Sequence, residues 1–102
     1  STYHGRLLMT SPADILRNAA EIIEQRGDLH GDWRLNCKTT AILWSRYAGF
    51  SVTPSQVGIM NCLQKISRMI SGGQKNQDDF IDLVGWAAIA AALADNEETS
   101  KK

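Results

Sequence analysis

Apolar residues in this chain recur at three- and four-residue intervals in four separate stretches, each bounded by helix start and stop signals. That period admits an amphipathic helix and excludes the two-residue alternation of a strand, so the chain is constrained to an all-α fold. The first stretch opens on Ser11-Pro12: serine caps the free amides, and proline stands where its missing N–H costs nothing. Ile15, Leu16, Ala19, Ala20, Ile22 and Ile23 follow, and Gly27 is the expected stop. Asp32 is the expected cap of a second helix running to about Tyr47, before Gly49. Thr53-Pro54 repeats the cap-plus-proline start for a third helix, with Val57, Met60, Leu63, Ile66 and Ile70 as its stripe and Gly72-Gly73 as its end. Asp78-Asp79 opens the fourth, placing negative charge at the positive end of the helix dipole. The expected architecture is an antiparallel bundle of about four helices over residues 11–95, behind an N-terminal arm (1–10). The tail at 96–102, with no apolar anchor, is expected to be disordered.

The fourth stretch is apolar all round beyond Asp82, from Leu83 and Val84 through Trp86 to Leu93. Such a helix is central to its fold or buried against another chain. In so small a bundle the second arrangement is expected, giving a homo-oligomer through helix 4. The apolar run at 83–94 is well short of the ~20 residues a membrane span needs, so no membrane partner is expected. Eleven basic and eleven acidic residues cancel, which removes the charge excess that non-specific nucleic-acid binding requires. Cys37 and Cys62 lack metal or CxxC spacing and read as reduced thiols, consistent with a cytoplasmic location.

Four groups of residues bear on chemistry. Asp79 and Asp82, at i and i+3, share one helix face that Trp86 continues; carboxylates so placed suit a hard cation such as Mg²⁺, although a first-turn acid also stabilises a helix by itself. Lys65 and Arg68 lie a turn apart on helix 3, suited to phosphate or to ion pairs with those aspartates across the short Gly-Gly turn. His30, Asp32, Trp33 and Asn36 cluster at the entry to helix 2, where a ligand contact and plain capping compete. Glu21 and Glu24 form an ExxE on helix 1, otherwise a solvated face. No Gly-rich phosphate loop, GxSxG nucleophile or zinc spacing is present.

Several motifs in order resemble a family of small phage and prophage proteins of uncharacterised function. They are Arg26-Gly27, Gly31-Asp32 with Asn36, Ala41-Ile42-Leu43-Trp44-Ser45 with Tyr47, and Val52-Thr53-Pro54 with Val57 and Met60. Leu63, Lys65-Ile66, Arg68, Asp79, Asp82 and Gly85 complete the set, which covers 26–92. More distantly the chain is similar to the MazG-like all-α nucleoside triphosphate pyrophosphatases, oligomeric bundles that hold Mg²⁺ on acidic pairs. That resemblance implies Glu21/Glu24 as a first pair and Asp79/Asp82 as a second. The second pair has Asp where those enzymes have Glu, and the gap between pairs is longer than usual.

Two functions follow as expectations. One is a phage-encoded MazG-like nucleotide-binding protein and Mg²⁺-dependent pyrophosphohydrolase, with Asp79 and Asp82 on metal, Lys65 and Arg68 on phosphate, and Trp33 or Trp86 stacked on a base. The other is a non-enzymatic phage accessory protein that binds a host protein or sequesters a nucleotide signal. The sequence leaves open which holds, and hence whether the chain is an enzyme.

Overall fold

The structure, a computed structural model, describes residues 11–30, 32–72 and 76–100, the side chains of 28–30 and 98–100 excepted. It contains four helices: α1 (Pro12–His30), α2 (Trp33–Ala48), α3 (Pro54–Ser71) and α4 (Gln77–Ser100). No strand occurs among the described residues. The starts of α1, α2 and α3 are those the sequence signals, and α4 starts at Gln77, one residue before the expected Asp78. Ser11 Oγ accepts from the Asp14 amide at 3.2 Å, and Asp32 accepts from the Arg34 amide at 2.8 Å. Thr53 and Gln56 form a reciprocal capping box at α3. Asn76 Oδ1 accepts from the Asp79 amide at 2.9 Å and so caps α4. Gly49 closes α2 in the left-handed conformation, φ 81°, that favours glycine.

Helices α3 and α4 run antiparallel. Arg68 at the end of α3 meets Asp79 at the start of α4, while Ser55 at the start of α3 meets Glu97 near the end of α4. Between those ends the two helices come very close. A Cβ built on Gly58 would lie 2.8 Å from Ala90 Cβ. Helix α1 lies on another side of α4, with Arg26 near Asp82 and Ile23 near Gly85. Helix α2 is joined to α3 by a short link that Ser45 fastens. Its hydroxyl accepts from the Val52 amide at 2.8 Å and donates to the Ala41 carbonyl at 2.7 Å. The core gathers Cys37, Ala41, Val52, Val57 and Leu93, with Trp33, Trp44, Trp86 and Ile89 packed against it.

Three expectations change. Helix α1 does not stop at Gly27 but continues to His30. Gly27 here takes helical backbone angles, because Ile23 and Arg26 on the same turns are held against α4. The expected disordered tail is helical as far as Ser100. Its anchor is polar rather than apolar. Both carboxylate oxygens of Glu97 accept from Ser55, one from the amide at 2.8 Å and one from the hydroxyl at 2.6 Å. The arm at 1–10 and residues 101–102 lie outside the described residues.

The third change concerns helix 4, which was expected to be too apolar for its own bundle to cover. It is the central helix, with Ile81, Gly85, Ala90 and Leu93 buried and mainly small Ala87, Ala88, Ala91 and Ala92 left exposed. The open apolar surface lies on α2 and α3. Tyr47 is 96% exposed, and Leu43, Ile59, Met60, Leu63 and Ile70 are exposed as well. No helix among the described residues is long and apolar enough to cross a membrane.

Candidate functional site

A pocket of about 260 Å³ opens where α1, α2 and α4 meet. Its walls follow from the helix periods just described. Ile22, Ile23, Arg26 and Gly27 project from the side of α1 that faces α4, and Ile81, Asp82, Gly85, Trp86 and Ile89 answer from α4. Trp33 and Asn36, one turn apart at the start of α2, complete the lining. The pocket is mostly apolar, with two indoles and three polar side chains (Arg26, Asn36 and Asp82), the composition of a small-molecule site. At Gly85 the wall has no side chain, and a Cβ there would stand 3.9 Å from Ile23. Trp33 is held from outside the pocket. The guanidinium of Arg34 lies 4.3 Å from the ring centroid, and it also pairs with Asp32 at 3.7 Å.

The acidic face of α4 is neutralised by cations from two helices. Lys65 Nζ is 3.2 Å from Asp82 Oδ2, and Arg26 approaches Asp82 Oδ1 at 3.9 Å. Arg68 Nε donates to Asp79 Oδ1 at 3.3 Å, and Asp79 itself is buried. The antiparallel turn thus brings Lys65 and Arg68 onto the two aspartates, in the ion-pairing arrangement that competed with phosphate binding in the sequence. A carboxylate out of water needs such a partner.

The candidates named from the sequence divide accordingly. Asp82, Trp33, Asn36 and Trp86 converge on the pocket, and Lys65 touches it through Asp82. Asp79 and Arg68 sit together beyond its lining. Asp32 is exposed and caps α2. The side chain of His30 lies outside the described residues. Glu21 and Glu24 are exposed and absent from the pocket, because Ile22, Ile23 and Arg26 occupy the face that meets α4. Among the described residues no three His, Cys, Asp or Glu side chains gather as a metal would need. The expected joint use of Glu21/Glu24 and Asp79/Asp82 around Mg²⁺ is therefore not what the helices build. Asp79 and Asp82 are instead each paired with a cation from α3. Burial pushes both the Cys37 and Cys62 thiols up from their usual range, so neither of these two is primed as a nucleophile.

Sequence reasoning passed over Arg26, Gly27 and the isoleucines of the wall as pocket residues. The signal available was the adjacent Ile22-Ile23, which gives α1 an apolar face wider than a single stripe and sets Arg26 one turn beyond Ile22 at its edge.

Residues 14–94 match a family described as domain of unknown function DUF6378. The chain belongs to this family. All the lining residues fall within the matched segment, so the pocket is a feature of the DUF6378 domain itself. A relative of known source is the Gene 55 protein of Mycobacterium phage L5, 39% identical over 77 residues. That similarity covers 74% of this chain but 49% of the phage protein, so the chain spans about half its relative's length. Together the two matches put the DUF6378 chain in an uncharacterised phage protein family. No solved structure matches it.

Proposed function

We propose that this DUF6378 chain is a MazG-like nucleotide-binding protein of phage type, and that it holds the base of the nucleotide in the α1–α2–α4 pocket. The observation that carries the reading is the company the pocket keeps: Trp33 and Trp86 supply aromatic faces, and Arg26, Asn36 and Asp82 supply hydrogen-bonding groups at their edges. A base is a flat apolar surface with a polar perimeter, and it is bound by stacking plus edge contacts. At about 260 Å³ the pocket lies near the low end of the ~300–1,000 Å³ common for ligand sites. That size suits a base and part of its sugar, leaving the phosphates outside. Binding is the activity proposed, because the aromatic and polar lining of the pocket supports it directly.

The test is equilibrium dialysis of the chain against labelled NTPs and dNTPs, with pyrophosphate release followed in parallel in Mg²⁺ or Mn²⁺. Saturable binding is expected in the wild type and in Tyr47→Ser, and is expected to be lost in Gly85→Leu, which fills the pocket from its bare wall. Asn36→Ala, on an exposed position, is expected to weaken binding without touching the fold. If no nucleotide binds, or if Gly85→Leu binds normally while folded by circular dichroism, the reading fails.

A second reading has its own support. Trp44, Tyr47, Phe50, Val52, Ile59 and Met60 line an apolar groove between α2 and α3, on a different side from Asp82. Exposed aromatics in such a groove favour a protein partner, whether a host protein or another copy of the chain. Light scattering across a concentration series distinguishes the two, since self-association depends on the chain's own concentration and responds to Tyr47→Glu.

A further inference from the structure

We infer that the pocket selects guanine, through the juxtaposition of the Asp82 carboxylate with the Arg26 guanidinium in a mostly apolar wall. The inference rests on the nucleotide-binding reading above and adds to it the identity of the base.

Depth in the pocket decides which part of a ligand meets which group. The Asp82 side chain is 19% exposed and that of Arg26 58%, while Asn36 is exposed at the rim. The end of the ligand that enters first therefore meets Asp82. An ionised carboxylate has acceptors only, two oxygens side by side. One of them, Oδ2, is already near Lys65 at 3.2 Å, and each oxygen keeps a further lone pair to offer. The other, Oδ1, has Arg26 at 3.9 Å, too far for a hydrogen bond. A ligand that supplies two adjacent N–H donors would complete this carboxylate.

Among the common bases that pattern belongs to guanine. Its Watson–Crick edge presents the N2 amino group and N1–H next to one another, both donors, followed by O6, an acceptor. The two donors fit Asp82, and O6 falls on the side of the neighbouring Arg26 guanidinium, which donates. Adenine would set the lone pair of N1 against the carboxylate. Cytosine would do the same with N3, and uracil or thymine offers a single donor flanked by two carbonyls. A base that sets a lone pair against the carboxylate forfeits a charge-assisted hydrogen bond and meets repulsion, which discriminates more strongly than shape alone. Asp82 also stands one helical turn before Trp86, so a base laid on that indole has its edge carried toward the carboxylate.

A ribose diol also carries two neighbouring donors, and the probes must separate it from the base edge. Intrinsic tryptophan fluorescence or calorimetry on the full chain, titrated with GMP, dGMP, IMP, AMP, CMP and UMP, does so. GMP and dGMP are expected to bind alike and tightest. IMP, which lacks only the 2-amino group, is expected to bind about ten-fold to a hundred-fold more weakly, the loss of one hydrogen bond to a charged acceptor. Asp82→Asn, which replaces one acceptor with a donor at nearly constant shape, is expected to abolish the preference for GMP over AMP. Equal affinity for GMP, IMP and AMP in the wild type would overturn the inference while leaving nucleotide binding intact. So would a preference retained by folded Asp82→Asn, or dependence on the 2′-hydroxyl. Absence of binding by every nucleotide would remove both readings together.

Discussion

Replacing Gly58 with alanine sets two effects against each other, and the structure says which prevails. Alanine is the better helix former by about 1 kcal/mol, which taken alone predicts a more stable protein. The new methyl group, however, would lie 2.8 Å from Ala90 Cβ, 3.1 Å from its Cα and 3.2 Å from its amide nitrogen. Two of those three atoms are backbone, so no rotamer change relieves the contact and α3 must move away from α4. Overpacking of this kind costs about 1–3 kcal/mol. The separation is also resisted at both ends of the helix pair, by Arg68–Asp79 at one and Ser55–Glu97 at the other. That resistance puts the cost in the upper part of the range, about 2–3 kcal/mol, so the clash outweighs the propensity with a net loss of about 1–2 kcal/mol. In a domain of this size that lowers the melting temperature by roughly 4–16 °C, at about 4–8 °C per kcal/mol. The control is the same substitution at Gly27, which is helical and has nothing within 4 Å of its built Cβ. There only the propensity acts, and alanine is expected to stabilise by up to about 1 kcal/mol. Urea unfolding of the three proteins at one fixed concentration measures both values. A Gly58→Ala protein as stable as the wild type, or a pair of variants shifted in the same direction, would refute the close α3–α4 approach.

Two further outcomes follow from single contacts. Glu97→Ala removes both acceptors of Ser55, a buried residue, and is expected to cost about 1–3 kcal/mol and to speed hydrogen exchange at the Ser55 amide; unchanged exchange would mean that the end of α4 does not hold the start of α3. Cys37, which is fully buried, is expected to react with a thiol reagent only as the chain unfolds, later than half-buried Cys62. Because burial raises both thiols above their unfolded value, ionisation favours the unfolded chain. The stability they contribute is whole below the ordinary thiol range and lost as pH climbs through the raised values, so unfolding midpoints should fall at alkaline pH.

The helices were legible in the sequence because their signals are local. Ser11-Pro12, Asp32 and Thr53-Pro54 each satisfy amides within three residues of themselves, and no distant partner is needed to read them. The pairing of Lys65 and Arg68 with the aspartates was legible too, since a short turn forces the end of α3 beside the start of α4. Stops were less readable than starts. Gly27 carries a stop signal, yet contacts of its neighbours with α4 carry the helix through it, and Glu97 sits in a polar tail whose partner is 42 residues away. The pocket belongs to the tertiary structure altogether. It joins Arg26, Trp33 and Asp82 from three helices, and period and propensity say which face of a helix is apolar but not which other helix will cover it. The same limit explains the exposed apolar surface. From the sequence, helix 4 was the one with too many apolar sides. Packing set it between α1 and α3 with only small side chains of its apolar run facing outward, because its glycine and alanines allow close approach, and left larger apolar side chains of α2 and α3 exposed.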